Sequence, residues 1–326
     1  MLLLNKEEIR KVFSMSDAIE ADKECYKAFS EGKFDVPLRA VINGRDGNFL
    51  FMPAYSEEMK AAGLKIVNIM PGNPAKGLPA SIGQVLLIDG ETGVVKAMMD
   101  GTYITALRTA AASGAAFDLF GRVDASVGAM IGTGSQAMCQ LEAMLSVRPL
   151  KEVRVAARNF EKTKAFVEAA KKELGHYGAE IKATEDTDEA VDGADLVTLV
   201  TVSATPVCSA GRFKAGAVIS AVGAYTYDMQ ELDPAVFDRC GKIYFDSEDA
   251  VLSESGDILR PLDEGTLSKE QFTGDIGDFI LGKIPGRESD DEIIVYENVG
   301  IGALDLYTAQ RVYDKAVEAG IGLKWE

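Results

Sequence analysis

The amino-acid sequence predicts an α/β protein in which a Rossmann-type, doubly wound parallel sheet is inserted into a discontinuous α+β domain. Three observations lead to this prediction. A short apolar strand runs through the turn Gly132–Ala137 into a helix, strand and helix patterns alternate after it, and strands joined by tight turns dominate the first hundred residues. The predicted boundaries are 1–118 plus 300–326 for the α+β domain and 119–299 for the Rossmann domain.

In the first domain, the pattern begins with a helix that Ser16–Glu20 can start and that runs to about Gly32. An antiparallel sheet and an alanine-rich helix follow. The turn signals Asn43–Gly47 and Asp89–Gly93 separate neighbouring strands. The predicted strands are Leu38–Ile42, Asn48–Met52, Gly63–Met70, Ser81–Ile88 and Val94–Met99, and the helix is Thr102–Leu119.

In the second domain, continuous apolar strands alternate with helices, which is typical of a parallel sheet covered on both faces. Asn159 is placed to cap the second helix. We expect the last helix, Gly302–Ala319, to return to the first domain. The other predicted elements are the strands Val127–Ile131, Val153–Ala157, Glu180–Ala183, Leu196–Val202, Ala217–Val222, Lys242–Phe245 and Glu292–Tyr296, and the helices Met138–Leu145, Phe160–Leu174 and Thr187–Val191.

The composition limits the kinds of partner and chemistry. Because the net charge is −17, neither nucleic acid nor an anionic membrane is an expected partner. We see no signal peptide and no apolar run near the roughly 20 residues of a membrane span. The single histidine, His176, lies in a predicted turn, so neither a histidine triad nor a metal site is expected. The cysteines lack CxxC spacing and indicate reduced thiols of a cytoplasmic protein: Cys25, Cys139, Cys208 and Cys240.

The Gly132-x-Gly134-x-x-Ala137 turn has the context of a dinucleotide-binding fingerprint. Gly132 permits the tight turn, Gly134 lets the backbone approach a pyrophosphate, and Ala137 lets the helix pack closely on the sheet. The alternative is an ordinary strand–helix turn that holds two glycines. The further candidate cofactor-binding residues lie in this turn and at the ends of the next central strands: Thr133, Ser135, Gln136, Thr201, Val202, Ser203, Val222 and Gly223.

Three cations in the first domain are candidates for binding an anionic substrate. We place Arg39 and Lys65 on strands and Arg108 in the alanine-rich helix. Positive side chains inside apolar elements are unusual unless they are paired. The alternative is that they form structural ion pairs. An arginine can bind a carboxylate through two parallel hydrogen bonds, and a buried lysine can donate a proton, so these residues favour acid–base chemistry on a carboxylate-bearing substrate.

Taken together, the motifs resemble those of the ornithine cyclodeaminase/mu-crystallin family over nearly the whole chain. The resemblance implies a nicotinamide cofactor, an α-amino or α-imino acid substrate, and a homodimer whose subunits meet through the first domain. The matching segments are Met52–Tyr55, Gly63–Lys65, Gly83–Gly93, Thr105–Ser113, Ile131–Ala137 and Val299–Leu306.

The resemblance also implies roles for single residues. Arg39 and Arg108 match positions that hold the α-carboxylate, Met52 lies in the substrate-binding set, and Lys65 matches a lysine beside the reacting carbon. It places Asn298 and Val299 beside the nicotinamide. The alternative for that last segment is simple entry into the final helix, with Asn298 as the cap.

The choice of cofactor depends on the end of the second Rossmann strand. An acidic residue there would bind the ribose 2′-hydroxyl of NAD, but the chain reads Ala157-Arg158-Asn159. Arg158 is placed to receive a 2′-phosphate, so we predict NADP, with NAD as the alternative. Arg158 as a solvated strand-end residue is the other interpretation.

One departure from the family pattern bears on the reaction. The family's cyclodeaminases and archaeal alanine dehydrogenases have an aspartate where this chain has Tyr225, and we interpret Asp228 as a helix cap ahead of Met229–Leu232. We therefore predict reduction of a small cyclic imino acid such as pyrroline- or piperideine-2-carboxylate, with hydride arriving across a domain cleft. The alternatives are ornithine cyclodeamination, alanine oxidation, or a non-catalytic NADP(H)-binding protein.

Overall fold

The computed structural model describes residues 1–326. The chain forms two compact units, a first unit of Met1–Arg108 with Ile301–Glu326 and a second unit of Thr109–Gly300. The dividing point lies within a long helix. None of the helices combines the length and the apolar composition that crossing a membrane requires.

The first unit begins with a short strand and two helices with side-chain caps. Asn5 accepts a hydrogen bond from the Glu8 N–H, and Ser14 accepts one from the Asp17 N–H, so the cap of the second helix lies two residues before the predicted Ser16. In chain order the elements are β1 Leu2–Leu4, α1 Lys6–Val12, α2 Met15–Ser30, β2 Ala40–Asn43, β3 Asn48–Ser56, β4 Ala61–Ile69, β5 Ser81–Asp89, β6 Val95–Asp100 and α3 Gly101–Phe120.

The second unit alternates strands with helices as the apolar pattern predicts. Asn159 caps α5 by accepting a hydrogen bond from the Lys162 N–H. The elements are β7 Val127–Ile131, α4 Ala137–Val147, β8 Glu152–Ala156, α5 Phe160–Leu174, β9 Glu180–Ala183, α6 Thr187–Val191, β10 Leu196–Leu199, β11 Val218–Ala221, β12 Cys240–Phe245, α7 Glu248–Glu254, α8 Gly256–Glu264, β13 Gly274–Asp275, α9 Ile276–Ile280 and β14 Ile293–Glu297. The chain ends in the first unit with α10 Gly302–Ala319 and β15 Leu323–Lys324.

The sheet of the first unit has seven strands in the order β15-β1-β6-β5-β4-β3-β2. The core is antiparallel as predicted, but β1 pairs with β6 in parallel, which the sequence-based prediction missed. Helix α10 packs on β3, β4 and β5 and against α2. The alternation of buried and exposed residues along β3 and β4 shows that this helical layer covers one face of the sheet.

The sheet of the second unit has eight parallel strands in the order β13-β12-β14-β11-β10-β7-β8-β9. Chain order reverses between β7 and β10, the topological switch point where ligands of such sheets bind at the carboxyl ends. The strands β10, β11 and β14 are buried along their whole length. The predicted Rossmann-type α/β class is confirmed by this topology.

Candidate active site

The first unit buries a lysine on the helix-covered face of its sheet. Lys65 lies in the middle of β4, directly opposite Met52 on β3 and Val85 on β5. Its side chain is 1% exposed, and the neighbouring Met52 is 5% exposed. Alternation along the strand dictates this orientation, because residues 61, 63, 65 and 67 all face the helical layer.

Asp305 forms ion pairs with both Lys65 and the buried Arg108. It lies in the first turn of α10, and its Oδ2 is 2.6 Å from the Lys65 Nζ. Its Oδ1 accepts a hydrogen bond of 3.0 Å from the Arg108 Nε on α3. Both cations are thus held at fixed positions by one buried carboxylate, and breaking such a pair costs about 3–5 kcal/mol because a charge is left uncompensated.

The environment brings Lys65 into the titration range of neutral solution. Burial and the positive charge of Arg108 together lower the pKa of Lys65 to about 7, although the ion pair with Asp305 opposes them. Burial would raise the pKa of Asp305, but its two cationic partners hold it below its usual range. Lys65 can therefore give up or accept a proton near neutral pH.

A second aspartate of this cluster lies on α2. Asp22 is fully buried, and neither of its carboxyl oxygens has a hydrogen-bond partner. Burial raises the pKa of Asp22 well above its usual range, with Arg108 opposing the shift and Asp305 adding to it. A neutral Asp22 leaves Lys65, Arg108 and Asp305 with a net positive charge whenever Lys65 is protonated, which suits an anionic substrate.

Arg39 differs from the other two cations. It directly precedes β2 rather than lying within a strand, and it is only half-buried, so the prediction of a strand position was wrong. The strand is shorter than predicted because the pairing of β2 with β3 begins at Ala40. Arg39 is near enough to the cluster that its charge contributes to the lowered pKa of Lys65.

The second unit contains a cavity of about 490 Å³ at the carboxyl ends of β7, β8, β10 and β11. Gly132 follows β7 with φ of +120°, and a Cβ there would overlap the Val200 carbonyl, so the turn requires glycine. A Cβ on Gly134 would meet no atom within 4 Å, so that backbone is open to a ligand. Most predicted cofactor-binding residues line the cavity: Gly132, Thr133, Gly134, Ser135, Gln136, Arg158, Thr201, Val202, Ser203, Val222 and Gly223.

Helix α4 begins at this cavity, and its cap residue Gln136 makes no side-chain hydrogen bond to the first turn. A helix start without a side-chain cap offers backbone N–H groups and a partial positive charge to an anion. These features, with the open approach at Gly134, fit the pyrophosphate of a dinucleotide.

Four predicted cofactor-binding residues do not line the cavity. Ala137 is the buried first residue of α4, and Asn159 is occupied in capping α5. Asn298 is 1% exposed and donates from its side-chain amide to the Thr109 carbonyl, so it is not a helix cap. Val299 follows it and is also buried.

The segment after β11 is irregular. Tyr225 lines the cavity, whereas Asp228 is exposed in a turn. No helix follows Asp228, so its interpretation as a cap was wrong; the turn closes instead through the Met229 N–H and the Thr226 carbonyl. Asp228 therefore does not replace, in the cavity, the aspartate that the family pattern has at the position of Tyr225.

The model of the ornithine cyclodeaminase/mu-crystallin family matches residues 1–320. The chain belongs to this family. The predicted resemblance is thereby confirmed.

Two kinds of family member are similar over the full length. Δ1-pyrroline-2-carboxylate reductase of Bacillus cereus is 33% identical, with all of both chains covered. The reductase of that name from Thermococcus litoralis, solved with NADH and L-proline, has a TM-score of 0.94 and 36% identity over 100% of both chains. An archaeal alanine dehydrogenase dimer with bound NAD has a TM-score of 0.91 and 33% identity over 100% of this chain and 99% of that one. The predicted reductase class agrees with these relatives.

Within this family member, sequence reasoning missed the acidic residues of the first unit. A signal was present, because Asp22 falls on the buried stripe of α2 with Ala18, Ile19, Cys25 and Tyr26. Asp305 likewise shares the buried face of α10 with Thr308, Ala309 and Val312. An aspartate at an apolar helix position is unusual and therefore indicates a candidate functional residue.

Proposed function

We propose that this chain reduces a small cyclic α-imino acid of the Δ1-pyrroline-2-carboxylate class to the corresponding amino acid, using a nicotinamide cofactor. The single observation that supports this most is the buried Lys65 with a pKa of about 7, ion-paired to Asp305 beside Arg108. The reaction adds hydride to the imine carbon and a proton to its nitrogen, so one proton donor suffices.

The residues of the first unit account for the remaining steps. Arg108 and Arg39 hold the substrate carboxylate, Met52 contacts its apolar ring, and the protonated Lys65 Nζ donates to the imine nitrogen. Asp305 keeps the ammonium and the guanidinium in place. Bound in the cavity of the second unit, the dinucleotide supplies the hydride.

We assign the dinucleotide to the cavity-lining residues 132–136, 158, 201–203 and 222–223 and, from the sequence alone, to residues 137, 159, 298 and 299, and we propose NADP(H). Arg158 is exposed at the cavity, and no carboxylate lies at the end of β8 to bind a 2′-hydroxyl. The relatives solved with NADH and NAD make NAD(H) the alternative.

A spectrophotometric panel tests the function. The wild-type chain should oxidise NADPH, and NADH more slowly, with pyrroline- or piperideine-2-carboxylate, and should release no ammonia from ornithine. Ammonia release from ornithine without net change in the cofactor would instead support cyclodeamination. Tight cofactor binding without turnover on any imino acid would support a non-catalytic protein.

Alanine oxidation is the second candidate, because an archaeal alanine dehydrogenase is 33% identical over nearly the same length. The presence of Tyr225 rather than an aspartate in the cavity argues against it. Our assignment would be overturned if L-alanine reduced NAD(P)⁺ faster than NAD(P)H reduced a cyclic imine, with both substrates at the same concentration.

We also propose a homodimer formed by the first unit, and a cytoplasmic location consistent with its free cysteines. The face of the sheet opposite α10 presents a row of aligned side chains on β2, β3, β4 and β5. In that row Ile42 is 59%, Phe49 38% and Ile82 36% exposed. Such an apolar patch indicates a protein interface.

Light scattering after size-exclusion chromatography tests the dimer. The wild type should have twice the mass of one chain, and Phe49→Lys should lower the measured mass towards that of a single chain. Val123→Lys is the matched control, because Val123 is 90% exposed but belongs to the second unit. A wild type that runs as a monomer would contradict the proposal.

A further inference from the structure

A buried glutamate bridges two loops of the cofactor cavity. Glu231 has no solvent exposure. Its Oε1 accepts a hydrogen bond from the backbone N–H of Thr201, after β10, and its Oε2 accepts one of 2.5 Å from the N–H of Gly223, after β11. Thr201 and Gly223 both line the cavity, whereas Glu231 does not.

The backbone around Glu231 ties down more of the same loop. The Gln230 N–H donates to the Ser203 carbonyl at 2.8 Å, and the Val207 N–H donates to the Glu231 carbonyl at 2.9 Å. Ser203 and Val207 also line the cavity. The segment that contains Glu231 therefore holds the cavity wall after β10 at three points.

The close approach of the two loops depends on glycine. A Cβ on Gly223 would overlap both the Thr201 carbonyl and the Glu231 carboxylate. No side chain separates the two loops here. Their spacing is therefore set by the two hydrogen bonds that the Glu231 carboxylate accepts, one from each loop. Any change in its length or its number of acceptor atoms must alter that spacing.

The backbone of Glu231 is held in place by a second buried acid. Asp257, in the first turn of α8, is fully buried, and its Oδ1 accepts hydrogen bonds from the N–H groups of Glu231 and Leu232, at 2.7 and 2.8 Å. Glu231 thus has a defined backbone position as well as a defined side-chain position. This is the arrangement that a rigid spacer between two loops requires.

We propose that Glu231 is a positioning residue for the cofactor, setting the distance between the loops after β10 and β11 on which the dinucleotide lies. This inference rests on the proposed function insofar as the cavity is a dinucleotide site. Glu231 touches neither the substrate nor the reacting atoms.

A carboxylate suits this task better than its amide. Two acceptor oxygens face two N–H donors, whereas a glutamine would place its NH₂ against one of them. Burial raises the pKa of Glu231 to about 8, with the charge of Asp257 adding to the shift and the Thr201 and Gly223 donors opposing it. The two N–H donors oppose the shift because they stabilise the carboxylate form, in which both oxygens accept.

The test compares Glu231→Gln with Asp195→Asn. Asp195 is the control, since this buried carboxylate also accepts two backbone N–H groups, from Ser126 and Val127 at 2.8 and 2.9 Å, but lies at the amino end of β7, where its other oxygen pairs with Lys214. We expect the Kd for NADPH and NADH to rise roughly tenfold in Glu231→Gln, the equivalent of one lost buried hydrogen bond. In Asp195→Asn the Kd should stay within about twofold.

Binding is measured by the fluorescence of the reduced cofactor at a temperature at which both variants are folded. Equal changes of Kd in the two variants would overturn the positioning role. If Glu231→Gln does not fold, Glu231→Asp, which is one methylene shorter and reaches only one loop, should raise the Kd in the same direction. An unchanged Kd in that variant would also overturn the role.

Kinetics supply the second readout. In Glu231→Gln the KM for the cofactor should rise while the KM for the imino acid stays near its wild-type value, and a parallel rise of both would refute the inference. A wild type that binds NADPH but reduces no imino acid would refute the proposed function alone, since the Kd comparison does not depend on turnover. A wild type that binds neither cofactor would refute both.

Discussion

The two units bury charge in opposite ways. In the first unit, Lys65 and Arg108 contact the oppositely charged Asp305. In the second unit, four buried acids accept from neutral groups, whereas Asp195 is paired with Lys214. Glu231 and Asp257 accept backbone N–H groups, Asp246 accepts the N–H of Gly300 at 2.6 Å, and Glu297 accepts the hydroxyl of Ser255 at 2.7 Å.

The difference shows which cluster performs chemistry. In the mixed cluster, burial and Arg108 lower the pKa of Lys65 to about 7 against the effect of Asp305, so a proton can move there near neutral pH. An all-acid cluster suppresses charge instead: burial, with the neighbouring Asp257, raises the pKa of Glu297 well above its usual range. In the structure these acids accept the hydrogen bonds that hold the loops around them.

The largest effect should come from Lys65→Met, which keeps the buried apolar stem and removes the amine. We expect kcat for imine reduction to fall by about 10²–10⁴, the usual contribution of a general acid. The Kd for NADPH should hardly change, because the cofactor cavity lies in the second unit. Stopped-flow turnover and fluorescence titration measure the two quantities. A comparable loss of both would make Lys65 a structural residue.

Arg108→Ala should chiefly weaken substrate binding. Losing a buried charged contact to the carboxylate costs about 2–4 kcal/mol, which corresponds to a rise of roughly 30- to 1,000-fold in the KM for the imino acid. Steady-state kinetics at saturating NADPH measure it, and thermal unfolding identifies any loss of folded protein. An unchanged KM would mean that Arg108 serves only as the ion-pair partner of Asp305.

Asp305→Asn should shift the pH dependence of the reaction. The proton donor must be protonated, so wild-type kcat/KM should fall as the pH rises through about 7, the pKa of Lys65. Asp305 raises that pKa against the effects of burial and Arg108. Removing its charge lowers the pKa further, and the alkaline limb should move down by about one pH unit, equivalent to about 1.4 kcal/mol.

The control for this shift is the pH dependence of cofactor binding, which should be the same in wild type and Asp305→Asn. If the alkaline limb of kcat/KM stays at the same pH and only the maximum is lower, Asp305 stabilises the fold and does not set the pKa of Lys65.

Local patterns were enough to predict most of the fold. The strand Val127–Ile131 and the helices Phe160–Leu174 and Gly302–Ala319 were predicted at the residues where they occur, since each has a clear apolar period and a defined start or stop. The strands β1 and β15 were missed because each is only two or three residues long and pairs with a partner far away in the chain. No local period identifies such strands.

The candidate site was predicted less completely, for a similar reason. Lys65 and Arg108 stand out as cations in apolar segments, and the structure brings them together on Asp305. Whether Asp22, Glu231 or Asp257 is buried depends on which distant elements pack over it. Acids are common in helices and loops, so only their position on an apolar stripe distinguishes Asp22 and Asp305, and no stripe exists around Glu231.

Arg158→Ala should have the smallest effect and should be confined to the cofactor. An exposed guanidinium paired with a 2′-phosphate contributes little more than a surface ion pair, so we expect the ratio of NADPH to NADH affinity to fall by roughly five- to tenfold. Fluorescence titration with each cofactor measures the ratio. The affinity for NADH itself should stay constant, since that cofactor has no 2′-phosphate.

This variant also tests whether a change of charge in the second unit affects the cluster around Lys65 in the first unit. If the exposed Arg158 acts only on the 2′-phosphate, the KM for the imino acid at saturating cofactor and the alkaline limb set by Lys65 should both be unchanged. A variant that keeps the NADPH preference would remove the reason for proposing NADP(H). A shift in the alkaline limb would show that charge in the second unit reaches Lys65, and the two clusters could then no longer be treated as separate.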